Sequence, residues 1–467
     1  MEVGDYFAAS LAIGDFNNDG FGDVIAGAPL ENFGKKADVG IVHVIYGSAS
    51  GLNSNSDTTI HQGTTGVPGV NNAGDRFGSS VATGDFDNDG FTDAVVGAEG
   101  EDTGSKTDAG AFTILYGHRN GLRGRGAATF TAATSGVAGP AEPFANVGAA
   151  VTTGDFNRDG FDDVAVGAPG SGSGTSSGAG AVHIMYGSNR GIVKADNIRL
   201  TQATNGVEGD READDAFGSS LAVGHFNNDR RDDLAVGIPG QRHNNNAGAG
   251  ATQIFDGSRK GIRPARNVII TQTSGDLFSG AAQDDRFGTS LAAGDFNGDG
   301  SDDLAVGSPG DSVRNRRAAG RIHVLYGSDS GLKLTGTDSY SQRTSGVKSK
   351  PEAGDEFGRT LAAGNFNGNK RVDLAIGVPG EGIGSKNGSG AVHVLFGGSA
   401  GIQPKTHQWY WPGKGAIPGT PMANGGFARA LATGDINGDG RDDLVAGAPG
   451  QVVGSKANAG TLVLIFG

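Results

Sequence analysis

The sequence predicts an all-β protein, a seven-bladed β-propeller of four-stranded antiparallel blades. Three observations carry this reading. A 70-residue unit recurs seven times in one register, each unit holds four short apolar runs, and the connecting segments are rich in glycine, aspartate and asparagine.

The repeat comes first. The segment Asp15-Phe16-Asn17-Asn18-Asp19-Gly20 returns at 85, 155, 225, 295, 365 and 435. The same step carries Gly27-Ala28-Pro29 to 167 and 447, with variants at 97, 237, 307 and 377, and Tyr46-Gly47 to Phe466-Gly467. No insertion or deletion breaks the register. The units are 7–76, 77–146, 147–216, 217–286, 287–356, 357–426 and 427–467, and together they form one domain over 1–467.

The strands come next. In the fourth unit, runs at 217–223, 233–239, 251–256 and 267–272 are rich in Val, Ile, Leu and Ala and bounded by glycine or proline. Small residues at Ala222, Gly224, Ala235 and Gly237 suit strands crowded near a central axis. Four antiparallel strands, repeated radially, make a propeller blade. A β-helix uses a coil of roughly 20–25 residues and helical repeats need a 3.6-residue stripe, and neither pattern is present. The last unit ends after its third run, at Thr461–Gly467, so blade 7 is expected to be one strand short. The expectation is an open ring until a flanking strand, supplied from upstream, closes it, because an apolar strand edge is a pairing liability.

Composition narrows the function. The 86 glycines follow no G-X-Y period, which excludes collagen. No apolar run is long enough to span a membrane. A net charge of −14, from 51 acidic and 37 basic residues, argues against nucleic acid as a partner. Cysteine is absent, so there is neither a disulfide framework nor thiol chemistry. Met1 runs directly into Glu2-Val3-Gly4-Asp5 without a signal peptide, so the chain is either cytosolic or has a start methionine in place of an export signal.

The acidic residues cluster in the loop after the first strand, which reads D-x-[ND]-x-D-G-x-x-D. Oxygen side chains at positions 1, 3, 5 and 9, with a main-chain carbonyl at 7, match the hard-oxygen shell that Ca²⁺ requires. Glycine at position 6 permits the sharp turn. Five loops are complete and are expected to hold about five Ca²⁺ ions. They are Asp15, Asn17, Asp19, Phe21 and Asp23; Asp85, Asp87, Asp89, Phe91 and Asp93; Asp155, Asn157, Asp159, Phe161 and Asp163; Asp295, Asn297, Asp299, Ser301 and Asp303; and Asp435, Asn437, Asp439, Arg441 and Asp443. An EF-hand is excluded, because position 12 is Ala26 rather than Glu and the flanks alternate with period 2. A metal-free Asx turn is the plain alternative, and recurrence of four donors in one spacing argues against it. Blade 4 has His225 at position 1 and Arg230 for the glycine, and blade 6 keeps only Asp373 as a carboxylate, beside Lys370 and Arg371. In both, the basic pair is expected to take the place of the metal. Blade 6 is expected to be empty.

These elements together resemble the FG-GAP repeats of the integrin α-subunit propeller and its bacterial relatives. Phe77-Gly78, Phe217-Gly218, Phe287-Gly288 and Phe357-Gly358 carry the FG, and Gly27-Ala28-Pro29, Gly167-Ala168-Pro169 and Gly447-Ala448-Pro449 carry the GAP. The resemblance implies seven blades, calcium loops on the lower face, ligand recognition by upper-face loops, and an N-terminal strand that completes the last blade. It also implies an extracellular or cell-surface setting. The five complete loops, the lack of cysteine and the absence of an inserted domain are departures from the integrin pattern, so integrin ligand residues do not transfer.

Catalysis is not expected. There is no G-x-S-x-G elbow and no H-E-x-x-H. His43, His183, His323 and His393 share one repeat position on the third strand and are expected to face solvent rather than form a zinc cluster. The pair Asp302-Asp303 suggests glycosidase carboxylates, but Asp303 is already assigned to calcium. The loops 29–39, 99–109, 171–179, 241–249, 311–319, 381–389 and 450–459 vary between blades and are the expected surface for a protein or cell-surface ligand. A glycan is the alternative partner, but only Trp409 and Trp411 are available as a platform, and they are expected to pack. A non-catalytic propeller of a secreted hydrolase is a further alternative.

Overall fold

The computed structural model describes residues 2–53, 55, 57–277, 280–415 and 417–467. Each unit is a separate antiparallel sheet with its strands in chain order: six sheets of four strands and one of three. Blade 4 is typical, with strands Ser220–Gly224, Asp233–Ile238, Ala251–Phe255 and Asn267–Ile270. Among the described residues the helical content is one 3₁₀ turn, Gly174–Ser176. The innermost strands of successive blades line an axial cavity together, with Ser10, Ser80, Ser220, Ser290 and Thr360 among its walls.

The second strand is buried along its whole length in all seven blades. It lies between two strands of its own sheet and is covered by neighbouring blades on both faces. Its sequence is therefore a continuous apolar run, such as Asp233–Ile238, rather than an alternating one. Between blades the core is filled by the residue that opens each unit, valine in the third (Val147) and phenylalanine in the others; Phe77, Phe217, Phe287, Phe357 and Phe427 are fully buried.

The glycines of the FG and GAP segments meet across each blade interface. A Cβ added at Gly167 would sit 2.0 Å from the carbonyl oxygen of Gly218 in the next blade, and one at Gly237 would sit 2.1 Å from that of Gly288. Where the inner strand carries a hydroxyl, it donates to the equivalent carbonyl: Ser10 to Gly78 at 2.7 Å, Ser80 to Gly148 at 2.6 Å and Ser220 to Gly288 at 2.7 Å. Glycine is needed here because one blade's backbone lies directly against the next. Gly167→Ala is expected to destabilise the protein by about 3 kcal/mol, since the clash is with the Gly218 main chain of the next blade, which cannot rotate away as a side chain would. A urea titration with an unchanged midpoint would contradict this.

The ring is closed, contrary to the open ring expected from the short last unit. Gly447 of blade 7 faces the Ala8 carbonyl of blade 1, as the other GAP glycines face theirs. The Gly22 amide donates to Asp435 O at 2.9 Å, the equivalent of Thr92 to Asp15 at 3.1 Å and Asp162 to Asp85 at 3.0 Å. Closure is made by the inner strands, near the axis, and does not depend on the outermost strand. Blade 7 does have three strands among the described residues, and Phe466, just past its third strand, is 52% exposed.

The third-strand histidines also differ from expectation. His183, His323 and His393 are buried, and only His43 is partly exposed. Their faces of the third strand turn towards the FG phenylalanines: Phe287 lies 5.4 Å from His323, Phe357 5.5 Å from His393 and Phe7 5.2 Å from His43. Burial holds His183 well below its ordinary value, at about 4, so the ring is neutral.

A second buried position recurs on the face opposite the acidic loops. Asp215 and Asp355 each accept the amide three residues upstream, at 2.6 Å. Burial raises Asp355 to about 6, and Glu381 beside it is raised to about 7 by burial above all. A carboxyl with a raised folded pKa contributes stability in full below its unfolded value and loses it as pH rises through the folded value. Asp355→Asn is therefore expected to be neutral near pH 4 and stabilising by about 1–2 kcal/mol at pH 8. Melting curves across that range check the slope.

Candidate metal centres

Each acidic loop is the hairpin between the first and second strands, closed by a glycine–aspartate pair such as Gly84 opposite Asp93. The chain enters the left-handed region twice within it. Position 4 is Asn18, Asn88 or Arg158 at φ 54–59° in blades 1–3, and Gly298 or Gly438 in blades 5 and 7. Position 6 is glycine in all five, at φ 86–94°. Asparagine tolerates this conformation better than most residues.

In the five complete loops the position 1 carboxylate organises the turn. In blade 2, Asp85 Oδ1 accepts the Asp89 amide at 3.1 Å and Oδ2 accepts the Gly90 amide at 3.0 Å. Asp15, Asp155, Asp295 and Asp435 do the same. The position 5 carboxylate then accepts the amide of position 7, from Phe21, Phe91, Phe161, Ser301 or Arg441. In blade 2 the oxygens of Asp85, Asp87 and Asp89 lie within 4.8 Å of one another. Asp87 Oδ1 is buried there without a hydrogen-bond donor, as is Asn157 Oδ1 in blade 3. Burial, and then the charges of Asp89 and Asp85, hold the Asp87 carboxyl above its ordinary value. An orphaned, buried oxygen among other carboxylates suits a cation.

Position 9 has a further role that the ligand pattern did not anticipate. Asp23 Oδ2 accepts the Phe16 amide at 3.0 Å and Oδ1 accepts that of Gly47, in the turn after the third strand, at 2.9 Å. The same pair of bonds is made by Asp93, Asp163, Asp303, Asp373 and Asp443. Asp233 keeps the bond to Gly257. This carboxylate ties the loop to the blade with or without the other donors. Its retention in blades 4 and 6, as Asp233 and Asp373, was the signal in the sequence. Burial raises Asp93 and Asp163 to about 8.

Asp302, considered above as half of a catalytic pair, joins blades instead. Its Oδ2 accepts the His225 amide of blade 4 at 2.8 Å, as Asp162 accepts from Asp85 and Asp442 from Asn365.

The two altered loops differ: in blade 6 the arginine leaves its own loop, whereas in blade 4 basic side chains pair with carboxylates of the loop. In blade 6 the Asn367 amide donates to Asp373 at 3.1 Å, while Arg371 reaches the Asn297 carbonyl of blade 5 at 3.4 Å. A short amide at position 3 points into its own loop, whereas the long guanidinium is carried past it. In blade 4 Arg231 pairs with Asp229 at 3.4 Å, and His225 pairs with Asp232 at 2.9 Å.

The variable loops join the second and third strands, so they lie at the opposite end of each blade from the acidic hairpins. Trp409 and Trp411 pack at 4.3 Å, and the Lys414 ammonium lies 4.2 Å from the Trp411 ring centre.

Comparison with known proteins agrees with this architecture. The FG-GAP repeat model matches residues 7–45, 77–115, 147–185, 217–255, 287–325, 357–395 and 427–465. The chain is 32% identical to integrin alpha-5 of Xenopus laevis over 247 residues, which is 51% of this chain and 20% of that protein. It is 29% identical to integrin alpha-PS2 of Drosophila melanogaster over 244 residues, 50% of this chain and 15% of that one. It is 34% identical to the phosphatidylinositol-glycan-specific phospholipase D of Bos taurus over 168 residues, 36% of this chain and 19% of that one. The matched segments thus span a fifth or less of these relatives' lengths. With seven matched repeats in seven blades, the chain belongs to the FG-GAP repeat family.

Proposed function

We propose that the protein is a calcium-stabilised extracellular propeller that serves as a protein-interaction or adhesion module. The observation that carries the calcium reading is the blade 2 loop, where Asp87 Oδ1 is buried without a donor beside Asp85 and Asp89. Positions 1, 3, 5 and 9 of the five complete loops would hold the ions, with the carbonyl of position 7. Calcium would supply positive charge among carboxylates that otherwise repel, and so stiffen that end of the five blades with complete loops. Five ions would bring the net charge of −14 to about −4.

The similarity to integrin α chains supports recognition by the loops at the other end. There the sequence varies from blade to blade on a scaffold that does not vary, which is where binding residues concentrate. The similarity to the phospholipase D favours a second reading, in which the same module accompanies a secreted hydrolase without catalysing.

Labelled protein applied to an array of extracellular-matrix proteins tests the recognition face, with each variable loop replaced in turn by Gly-Ser. Loss of binding on replacement of one or a few adjacent loops is expected. Binding indifferent to all seven replacements would sink the interaction reading.

A further inference from the structure

Residues that the fold requires recur in every blade, whereas a residue unique to one blade is not demanded by the fold. On the variable-loop face the largest such departure is in blade 5. Its loop carries Arg314 and Arg317 within a chain of net charge −14, beside Arg316, which stands where Lys36, Lys106, Lys386 and Lys456 stand in other blades. The positions matching Arg317 hold Ala37, Thr107, Ser177, Ala247, Asn387 and Ala457. Those matching Arg314 hold Gly34, Gly104, Gly174, Gly384 and Gly454, all left-handed, and Asn244. Arg314 keeps that backbone at φ 48°, a conformation that disfavours any residue with a Cβ.

Of these, Arg317 borders a built concavity. A cavity of about 360 Å³ between blades 5 and 6 is lined by Arg286, Arg317 and Arg359, with Asp284 and Glu356 on its walls. It adjoins a second of about 650 Å³, with which it shares Asp284, Arg286 and Arg359. Arg286 and Arg317 are exposed and Arg359 partly so, and none of the three forms an ion pair among the described residues. Arg76, which closes the first unit as Arg286 closes the fourth, is by contrast paired with Glu99 at 3.5 Å.

We propose that this concavity is the recognition site for a protein segment that presents discrete carboxylates, with Arg286, Arg317 and Arg359 receiving them. The inference rests on the variable-loop face being the recognition face. A guanidinium binds a carboxylate through two parallel N–H donors, which a lysine cannot match. Asp284 and Glu356 on the same walls repel a uniform polyanion, so a sulfated polysaccharide fits less well than a peptide of mixed charge.

Selection of a displayed 12-residue random peptide library on the calcium-loaded protein tests this. Asp and Glu are expected to be enriched about threefold in the selected pool, and single peptides to lose about tenfold in affinity on Arg317→Gln or Arg359→Gln. Arg317→Lys, which keeps the charge, should lose part of that affinity. Lys106→Gln in blade 2 should leave it unchanged, and an unaltered melting temperature confirms that the variants fold. A wild-type pool without acidic enrichment, or heparin binding more tightly than every selected peptide, overturns the proposal. If matrix binding disappears on replacement of loops in other blades but survives Arg317→Gln and Arg359→Gln, the interaction reading stands and this site is wrong.

Discussion

Removing calcium with EGTA is expected to lower the melting temperature by about 10 °C. Each ion that binds the native state alone stabilises it by RT ln(1 + [Ca²⁺]/Kd), about 1.4–2.7 kcal/mol at ten to a hundred times Kd. Five such loops together contribute about 10 kcal/mol, and a chain of 467 residues shifts by about 1 °C per kcal/mol. Calorimetric titration of calcium into the stripped protein should return about five sites. Replacing Asp85 and Asp89 together by Ala should remove one of them, because both carboxylates of the blade 2 turn are then gone. A melting temperature indifferent to EGTA would end the calcium reading for all five loops.

The second large effect concerns the pin at position 9. Asp373→Ala is expected to destabilise the protein by about 3–5 kcal/mol, equally with and without calcium. The substitution leaves the buried amides of Phe366 and Gly397 without an acceptor and opens a cavity. Asp93→Ala should have the same effect in EGTA and a larger one in calcium, where it also damages a proposed ion site. Denaturant midpoints of the two variants in both conditions separate the roles. If Asp373→Ala became milder in EGTA, blade 6 would be holding an ion after all.

Much of this architecture was legible because repetition exposes it. Seven copies at one spacing reveal which positions are constant, and the glycine, proline and aspartate that punctuate each unit mark the strand ends. The spacing of the carboxylates in the acidic loops was legible for the same reason. Their partners were not. Nothing local in Asp23-Val24 announces that the Asp23 carboxylate will meet the Gly47 amide, since that contact depends on how the third strand returns. The buried histidines were misread because alternation along a strand shows that two faces differ, but not which of them a neighbouring blade covers.

Local chemistry therefore determined the repeat, the strand count, the turn geometry and the acidic loops, because each depends on residues a few positions apart. The tertiary structure decided what happens between units: the closure of the ring, the meeting of the FG and GAP glycines, the backbone amides that the position 9 carboxylate accepts, and the gathering of Arg286, Arg317 and Arg359 around one cavity. Contacts between residues about 70 positions apart depend on how two rigid blades seat against each other, and that seating is a property of shape that no single unit contains.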